Sequence, residues 1–347
     1  MRTNNPTKSP KSTKRPKGNQ RNLTGNWVAA AIIGAITCVA FLPVLWNQFV
    51  EWDDYENLVD NARYRGLGWD QLRWMFTTFH MGPYQPLSWM TYGLDYLIWG
   101  MNATGYHLTN LLFHAANGVF FYFVARRLIA LALLSPGNEK SWQLDVSGMF
   151  AALIFAIHPL RVESVAWATE RRDVVSGFFF VATIYCYLRG SEPGASRRWL
   201  GGALVAYVLS LLGKATAMTL PVVLLILDIY PLRRLTGDLR GWRAPAERGV
   251  LLEKIPFAIP AVGFAVIAFI GQQQTSAVKS IENYGIDSRL GQAFYGASFY
   301  LWKTLAPVRL SPLYEILPAF TPWSFLIIAG AASSILITVA LFFMRKR

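Results

Sequence analysis

The first stretch of the chain with residues suited to catalysis follows an uncharged apolar run and reads WNQFVEWDDYENLVDN, residues 46–61. It is rich in acid, although the chain as a whole has a formal net charge of +13. Asp53 and Asp54 lie within it, just beyond an apolar run long enough to cross a membrane, and a carboxylate there can take a proton from a hydroxyl arriving from water. Adjacent side chains point in different directions, so one acid is expected to serve as base while the other hydrogen-bonds to the loop. The alternative is an ordinary solvated acidic loop.

A second charged stretch, HPLRVESVAWATERRD at residues 158–173, connects two apolar runs. Its centre is too apolar to be fully solvated. The stretch is therefore expected to lie partly in the membrane, with its charged side chains in a cavity. Arg171 and Arg172 suit a phosphate, because a guanidinium presents a planar fork of donors. Ion pairing within the stretch, Arg172 with Asp173 or Arg161 with Glu163, is the alternative. The other residues of this stretch that are expected to line the cavity are His158, Arg161, Glu163, Glu170 and Asp173.

Two lysines lie in apolar surroundings, Lys214 in LSLLGKATAMTLP and Lys303 in FYLWKTLAP. A lysine in such a place either extends its ammonium to the interface or binds an anion. Together with Arg171 and Arg172, these lysines are expected to hold the phosphate of a negatively charged lipid headgroup.

The run YHLTNLLFHAANG carries His107, Asn110, His114 and Asn117 at helical spacing, so the four share one helix face. Hydrogen bonding to neighbouring helices is favoured over a metal site, which would want close ligands and usually carboxylates as well. No metal-ligand set is predicted. His107, and His80 next to MGPYQP, are expected to face the cavity.

The elements that must position these residues are membrane helices. The chain has 347 residues, of which 53% are hydrophobic and only 15% charged, whereas a soluble domain usually carries about a quarter charged residues. The sequence therefore predicts an all-α, polytopic membrane protein. Eight spans are predicted, at roughly 27–46, 107–125, 147–158, 174–188, 199–213, 217–231, 255–271 and 323–343.

The distribution of basic residues predicts the orientation of these spans. With the N-terminus inside, the cytoplasmic segments hold 22 of the 33 lysines and arginines, in agreement with the positive-inside rule. The outer face then holds two long loops, 47–106 and 272–322. Within them, GWDQLRWMFTTFH and PLSWMTYGLDYLIWG predict two amphipathic helices on the outer leaflet, and residues 290–306 predict an interfacial or re-entrant helix.

The N-terminal residues 1–26 hold seven lysines and arginines and no acid. They predict a disordered, basic cytoplasmic tail that precedes a transmembrane domain at 27–347. Nothing else in the sequence supports binding to nucleic acid.

Several ordered motifs resemble a known family. FVEWDDYENLVDN, PLSWMTYGLDYLIWGMNATGYHLTNLLFHA, HPLRVESVAWATERRDVVSGFFF, LLGKATAMTLPVVLLILDIYPLRR and FYLWKTLAPVRLSPLY look like the membrane half of bacterial tetratricopeptide-repeat membrane proteins. These are related to the transmembrane and tetratricopeptide-repeat O-mannosyltransferases, of the C-type (GT-C) clan of glycosyltransferases. The resemblance covers roughly residues 26–320.

The resemblance implies a GT-C-like fold and a sugar donor linked to a polyprenyl phosphate. It implies that Asp53 and Asp54 match the acidic motif of the clan, and that the ERRD and GKATAM stretches lie near the donor site. The chain departs from the family in two respects. Gln85 precedes Pro86 where animal members carry arginine, and the chain has no 34-residue repeat.

The expected function is therefore a membrane glycosyltransferase in a bacterial inner membrane, with a cytoplasmic N-terminus and an extracytoplasmic active site. It would move a sugar, with mannose as the first candidate, from the lipid-linked donor to a hydroxyl of an acceptor protein or glycan, with inversion. The alternative is a non-catalytic lipid-linked-sugar transporter or a membrane scaffold. The expected co-substrate is the lipid-linked sugar donor, and the sequence leaves open whether the reaction requires a divalent metal.

Overall fold

A computed structural model gives the fold of the chain. Within the part of the chain it describes, regular secondary structure is helical and no strand occurs. The predicted tail lies outside the described residues except for Asn26, and so does part of the predicted late loop 272–322. The structure describes residues 26–133, 141–238, 240–275, 281, 285–312, 314 and 324–344.

Thirteen α-helices are found within these ranges, several of them joined by short turns of 3-10 helix. Their bounds are α1 Trp27–Phe41, α2 Trp69–Thr77, α3 Pro86–Trp99, α4 Ala103–Leu133, α5 Ser141–Ile157, α6 Val162–Ala166, α7 Arg171–Gly190, α8 Arg198–Gly213, α9 Leu220–Ile229, α10 Pro245–Leu252, α11 Ile255–Gln274, α12 Ile286–Leu305 and α13 Phe325–Met344.

The long helix α4 organises the bundle, because α1, α5 and α7 all pack against it. Small residues allow close packing here: Ala29 and Ala30 of α1 and Ala152 of α5 lie in one buried cluster with Tyr122 of α4. The Tyr122 hydroxyl donates to Asp145 of α5 at 2.9 Å. The charged connections extend from this bundle around α4.

By length and composition, three continuous segments can cross a membrane: Trp27–Trp46, Ala103–Leu133 and Pro245–Gln274. A fourth is the pair Ser141–Ile157 and Pro159–Ala166, which is bent by 52° at its break. These correspond to four of the eight predicted spans.

The other four predicted spans stay a prediction. Among the helices there, α8 and α9 are short and α7 begins with charged residues at Arg171. The apolar stretch Phe325–Leu341 of α13 is also shorter than the length required of a span. The described structure is thus all-helical with three or four candidate spans.

The first predicted outer loop contains the two expected helices, α2 and α3, but α3 is packed into the bundle on one side. Ser88 of α3 donates to the Gly213 carbonyl at 3.1 Å, and the Tyr92 hydroxyl lies 3.0 Å from the carbonyls of Ala168 and Thr169. The opposite side of α3 exposes apolar residues such as Leu97. This arrangement fixes the loop against the connection 158–173.

The segment 290–306, predicted to be an interfacial or re-entrant helix, belongs to α12, which packs along α13. The contact is polar and close. The Ser298 hydroxyl donates to the Gly330 carbonyl at 2.6 Å and lies 2.7 Å from the hydroxyls of Ser333 and Ser334.

Candidate active site

Asp54 is fully buried and tied to backbone at two distant points. Its Oδ2 accepts a hydrogen bond from the Val50 N–H at 3.1 Å, and its Oδ1 accepts one from the Thr169 N–H at 2.9 Å. A carboxylate that accepts backbone hydrogen bonds has few lone pairs left for a substrate. Asp54 therefore joins the acidic loop to the connection 158–173 and holds the two together.

Asp53 is half-buried beside it and differs in its contacts. Among the described residues, no side chain or backbone group donates to its carboxylate. Burial raises the pKa of Asp53 above its ordinary value, and the Arg172 charge opposes this, while Glu170, Asp54 and Glu56 add to it. A partly desolvated carboxylate with a raised pKa and free oxygens has the properties of a general base.

Four charged residues form a network that we call the charged quartet: Glu170, Arg172, Asp173 and Lys214. Two of them, Arg172 and Glu170, act electrostatically on Asp53. Lys214 bridges the two carboxylates, with its Nζ 3.2 Å from Glu170 Oε2 and in contact with Asp173 Oδ1. Arg172 contacts the other oxygen of Glu170. The quartet brings Lys214, predicted separately, to the ERRD stretch.

The quartet balances two cations against two carboxylates. Burial opposes ionisation of Glu170, but Arg172 and Lys214 together hold its pKa below the usual range. Arg172 and Lys214 are nevertheless partly exposed, with 20% and 27% of their side-chain surfaces accessible. Both can therefore contact a ligand without leaving the quartet.

Arg171 faces the other way and is fully buried. Its Nη1 lies 2.5 Å from Asp95 Oδ2, its Nε donates to Asn110 Oδ1 at 2.7 Å and its Nη2 donates to the Tyr106 carbonyl at 2.7 Å. Its guanidinium also lies over the Tyr92 ring, 4.5 Å from the centroid. These contacts occupy the donors that the sequence analysis assigned to a phosphate, so Arg171 supports the wall of the site.

Asp95, the ionic partner of Arg171, was not among the residues predicted from the sequence. The signal was present, because Ser88, Trp89, Tyr92 and Asp95 recur at helical spacing and all four are buried on one face of α3. Because an unpaired buried charge is unfavourable, a carboxylate on such a buried face predicts a buried cation as its partner.

Arg161 lies at the break between α5 and α6 and lines a cavity of about 310 Å³. Its guanidinium stacks on the Phe155 ring, 4.5 Å from the centroid. Within the described ranges its side chain has no hydrogen-bond or ion-pair partner, so the predicted pairing with Glu163 is not formed. Glu163 itself is exposed, and its charge acts on Glu170 and Asp173. Asp173 also lines the cavity.

The remaining predicted residues lie around this region rather than in one pocket. His107 is fully buried within α4. His80 is half-buried, with its Nε2 3.0 Å from the Glu56 carbonyl, and His158 caps the turn before α6 while its Nε2 lies 3.0 Å from the Thr304 carbonyl. Lys303 is 8% exposed and donates to the Val308 and Arg309 carbonyls of its own hairpin at 2.7 and 3.1 Å.

Lys303 is thus not brought to the charged quartet by any contact within the described residues. Its ammonium is hydrogen-bonded to carbonyls and lies over the Phe299 and Tyr314 rings. The contact between the His158 Nε2 and the carbonyl of Thr304, the residue after Lys303, joins α12 to the connection 158–173.

Three of the four polar residues predicted on one face of α4 hydrogen-bond to neighbouring segments, whereas neither ring nitrogen of His107 has a hydrogen-bond partner among the described residues. Asn110 donates to the Trp167 carbonyl at 3.1 Å and Asn117 donates to the Val174 carbonyl at 2.9 Å. The His114 Nε2 lies 2.7 Å from the Ala156 carbonyl. In the described part of the chain, no group of three or more histidine, cysteine, aspartate or glutamate residues is arranged to hold a metal ion.

The site combines the free carboxylate of Asp53 with two accessible cations, Arg172 and Lys214. The loop that carries Asp53 is far from both cations in sequence. Such a site can remove a proton from a hydroxyl and stabilise a leaving group that gains negative charge.

Comparisons with known proteins find relatives for part of the chain. It is 34% identical over 157 residues to protein O-mannosyl-transferase TMTC2 of Mus musculus, an alignment that covers 44% of this chain and 17% of that protein. It is 31% identical over 127 residues to protein O-mannosyl-transferase TMTC3 of Homo sapiens, covering 37% and 12%. It is 26% identical over 228 residues to protein O-mannosyl-transferase TMTC1 of Homo sapiens, covering 59% and 24%.

No protein-family model and no solved structure matches the chain. The chain spans less than a quarter of the length of these curated relatives. Over the matched part, it is similar to proteins named protein O-mannosyl-transferases.

Proposed function

We propose that the chain is a membrane glycosyltransferase that moves a sugar, with mannose as the first candidate, from a polyprenyl-phosphate donor to an acceptor hydroxyl. The names of its relatives support sugar transfer to protein. The proposal includes a GT-C type of fold in a bacterial inner membrane, with a cytoplasmic N-terminus and an extracytoplasmic site. The bias of 22 of 33 basic residues to one side supports that orientation.

The observation that carries the proposal is the hydrogen bond from the Thr169 N–H to Asp54 Oδ1 at 2.9 Å. It ties the loop that carries Asp53 to the connection that carries Glu170, Arg172 and Asp173, and the charges of Arg172 and Glu170 act on Asp53. A transferase of this class needs a base on one side of the reacting carbon and cations on the other, and the anchored loop supplies both.

In the proposed reaction Asp53 accepts the proton of the acceptor hydroxyl. The hydroxyl oxygen forms a bond to the anomeric carbon while the bond from that carbon to the phosphate oxygen breaks. The electron pair of the broken bond stays on the polyprenyl phosphate, which leaves from the opposite face and inverts the configuration. General-base help of this kind is worth roughly 10²- to 10⁴-fold in rate.

Arg172 and Lys214 are the residues of the quartet that we assign to the leaving phosphate, because they are the cations with accessible surface. Fixed cations aimed at developing negative charge cost no reorganisation during the reaction. Arg171 and Lys303 are left out of the ligand contacts, since their donors are occupied within the protein.

A non-catalytic transporter of lipid-linked sugar or a membrane scaffold is the second candidate. Transporters commonly hold their substrate near the bilayer midplane on discontinuous helices, and the bent pair of α5 and α6 is a discontinuous helix. Neither role needs the base, so removal of the Asp53 charge separates the candidates.

The test is Asp53→Asn, with Asp60→Asn as the matched control, since Asp60 is an exposed acid of the same loop. The two variants and the wild type are assayed for transfer of mannose from a polyprenyl phosphomannose to a protein acceptor. We expect Asp53→Asn to lose at least 100-fold in rate and Asp60→Asn to remain active. Full activity of Asp53→Asn, with an unfolding temperature equal to that of the wild type, overturns the base assignment.

A further inference from the structure

The end of α4 that lies away from the candidate active site carries a buried cation, Arg127, whose side chain is 1% exposed. Asn110, an α4 residue that accepts a hydrogen bond from Arg171 at the candidate active site, lies near the other end of the helix. At a helical rise of about 1.5 Å per residue, Asn110 and Arg127 are roughly 25 Å apart along α4. This is close to the thickness of the hydrocarbon core of a membrane, about 30 Å. A site at Arg127 is therefore separate from the charged quartet.

A second arginine, Arg189 near the C-terminal end of α7, lies close enough to Arg127 for the two charges to act on each other. Arg127 contacts the carboxylate of Glu192, in the turn after α7. The guanidinium of Arg189 lies over the Trp199 ring, 5.1 Å from its centroid. Two cations from α4 and α7 thus share one carboxylate within the described part of the chain.

Three buried guanidinium nitrogens at this place have no hydrogen-bond acceptor among the described residues: Nε and Nη1 of Arg127 and Nε of Arg189. The adjacent arginine of α4 differs, because the Nε of Arg126 donates to Asp145 at 2.6 Å. Buried donors without acceptors are unfavourable, and so is a buried charge without a counter-ion. The unmatched donors and the unmatched charge both indicate an anionic ligand that carries several acceptor oxygens.

Two tryptophans indicate the depth of this site in a membrane. Trp27 begins α1, is 75% exposed and packs edge-on against Phe123, one helical turn before Arg127 on α4. Trp199 lies at the start of α8, against Arg189. Tryptophan is enriched where the hydrocarbon of a membrane meets the headgroups. Arg127 and Arg189 therefore lie at the depth of lipid headgroups, at one end of a helix that can cross the membrane.

We propose that this site binds the phosphate of an anionic phospholipid, held between Arg127 and Arg189 in the leaflet opposite the candidate active site. A guanidinium presents a planar fork of donors to phosphate oxygens, and basic pockets between membrane helices suit anionic headgroups. Glu192 neutralises one arginine, so one positive charge remains for the single negative charge of a phosphodiester. This lipid carries no sugar and takes no part in transfer, so the proposal does not depend on the proposed function.

Native mass spectrometry of the full chain in detergent tests the proposal. Wild-type protein, Arg127→Gln and Arg189→Gln are titrated with phosphatidylglycerol, which is anionic, and with phosphatidylcholine, whose choline cancels the phosphate charge. The matched control is Arg248→Gln, because Arg248 is an exposed arginine of α10. Lys254, which follows α10, contacts Tyr187 near the same end of α7, so the control lies on the same side of the bundle.

We expect the wild type to bind phosphatidylglycerol about 5-fold more tightly than phosphatidylcholine, the value of one charge near a membrane surface. Arg127→Gln should weaken phosphatidylglycerol binding about 10- to 100-fold, the value of charge-assisted hydrogen bonds. Arg248→Gln should bind like the wild type. Equal affinity of the wild type for the two lipids overturns the proposal, and so does a loss in Arg248→Gln as large as that in Arg127→Gln.

Arg189→Gln covers the case in which Arg127→Gln does not fold, because Arg189 is partly exposed and forms no ion pair within the described residues. It should weaken phosphatidylglycerol binding about 10-fold, with an unfolding temperature close to that of the wild type. Unchanged affinity in Arg189→Gln overturns a site built on both arginines.

Inorganic phosphate, added as a competitor, separates a lipid headgroup from a free anion. Displacement of phosphatidylglycerol by an equal concentration of inorganic phosphate overturns the assignment to a lipid. Asp53→Asn should bind phosphatidylglycerol like the wild type even when it transfers no sugar. Failure of the transferase and failure of this lipid site are therefore measured separately.

Discussion

The Asp54 carboxylate accepts a hydrogen bond from the Thr169 N–H at 2.9 Å, and the two residues are 115 positions apart. The adjacent acid, Asp53, keeps its oxygens free of partners among the described residues. The two acids thus have different roles: Asp54 holds two loops together, and Asp53 faces the candidate site.

The first prediction concerns this division. Asp54→Asn should lower the free energy of unfolding by about 1 to 3 kcal/mol, because an amide has one acceptor oxygen and its NH2 would face the other backbone N–H donor. Asp53→Asn should leave it nearly unchanged. Thermal unfolding in detergent measures both, with Asp60→Asn as the control. Equal losses for Asp53→Asn and Asp54→Asn would speak against the anchoring role.

The second prediction is a pH dependence. Asp53 acts as base only when ionised, so kcat/KM for transfer should rise with pH through its pKa. Burial raises that pKa and the Arg172 charge lowers it. Removing the charge in Arg172→Gln should therefore raise the pKa further, and the acidic limb of the profile should move to higher pH.

The position of the limb, not the absolute rate, is the informative quantity here, because Arg172→Gln is also expected to slow departure of the phosphate. Arg73→Gln serves as the control, since Arg73 is exposed on α2. An acidic limb that stays at the wild-type pH in Arg172→Gln would show that the Arg172 charge does not act on the base.

The third prediction concerns the buried pair of Arg171 and Asp95. Arg171→Met should cost about 3 to 5 kcal/mol of stability, because it leaves the Asp95 carboxylate buried without a counter-ion. The double variant Arg171→Met with Asp95→Asn should recover part of that loss. Unfolding temperatures measure both, and Arg73→Met is the exposed control. Stability of Arg171→Met equal to that of Arg73→Met would contradict the pair's structural role.

The fourth prediction concerns the close packing of α3. A Cβ at Gly93 would lie 2.5 Å from the Gly66 carbonyl oxygen and 3.0 Å from that of Tyr64. Gly93→Ala should therefore displace backbone and cost about 1 to 3 kcal/mol. Gly201→Ala is the matched control, since nothing lies within 4 Å of its Cβ position and alanine favours helix. A Gly93→Ala protein as stable as Gly201→Ala would exclude this contact.

Much of the fold class follows from local pattern. Long apolar runs such as Trp27–Trp46 predict helices, and the helical spacing of aromatic residues correctly predicts α2 and α3 within the first loop. The face shared by His107, Asn110, His114 and Asn117 predicts hydrogen bonds to neighbouring segments, and all of these residues except His107 form them. The number of membrane spans was harder to predict from the sequence, because a helix as short as α8 can be apolar without matching the thickness of a membrane.

The roles of neighbouring charged residues could not be predicted from local sequence pattern. Arg171 and Arg172 are adjacent and chemically identical, yet one is fully buried against Asp95 and the other remains partly exposed beside Glu170. Successive positions at the start of a helix point in directions about 100° apart, so their surroundings depend on what packs against each direction.

The sequence by itself determined that this is an all-helical, apolar chain with acids and arginines collected in the connections between its helices. Tertiary structure alone decided which acid is anchored, which arginine is buried and that Arg161 meets a cavity. The physical reason is that the partners of these groups, such as Thr169 for Asp54, lie far away in sequence. Ionisable side chains acquire their roles from burial and hydrogen bonding, and both are set only when distant segments pack together.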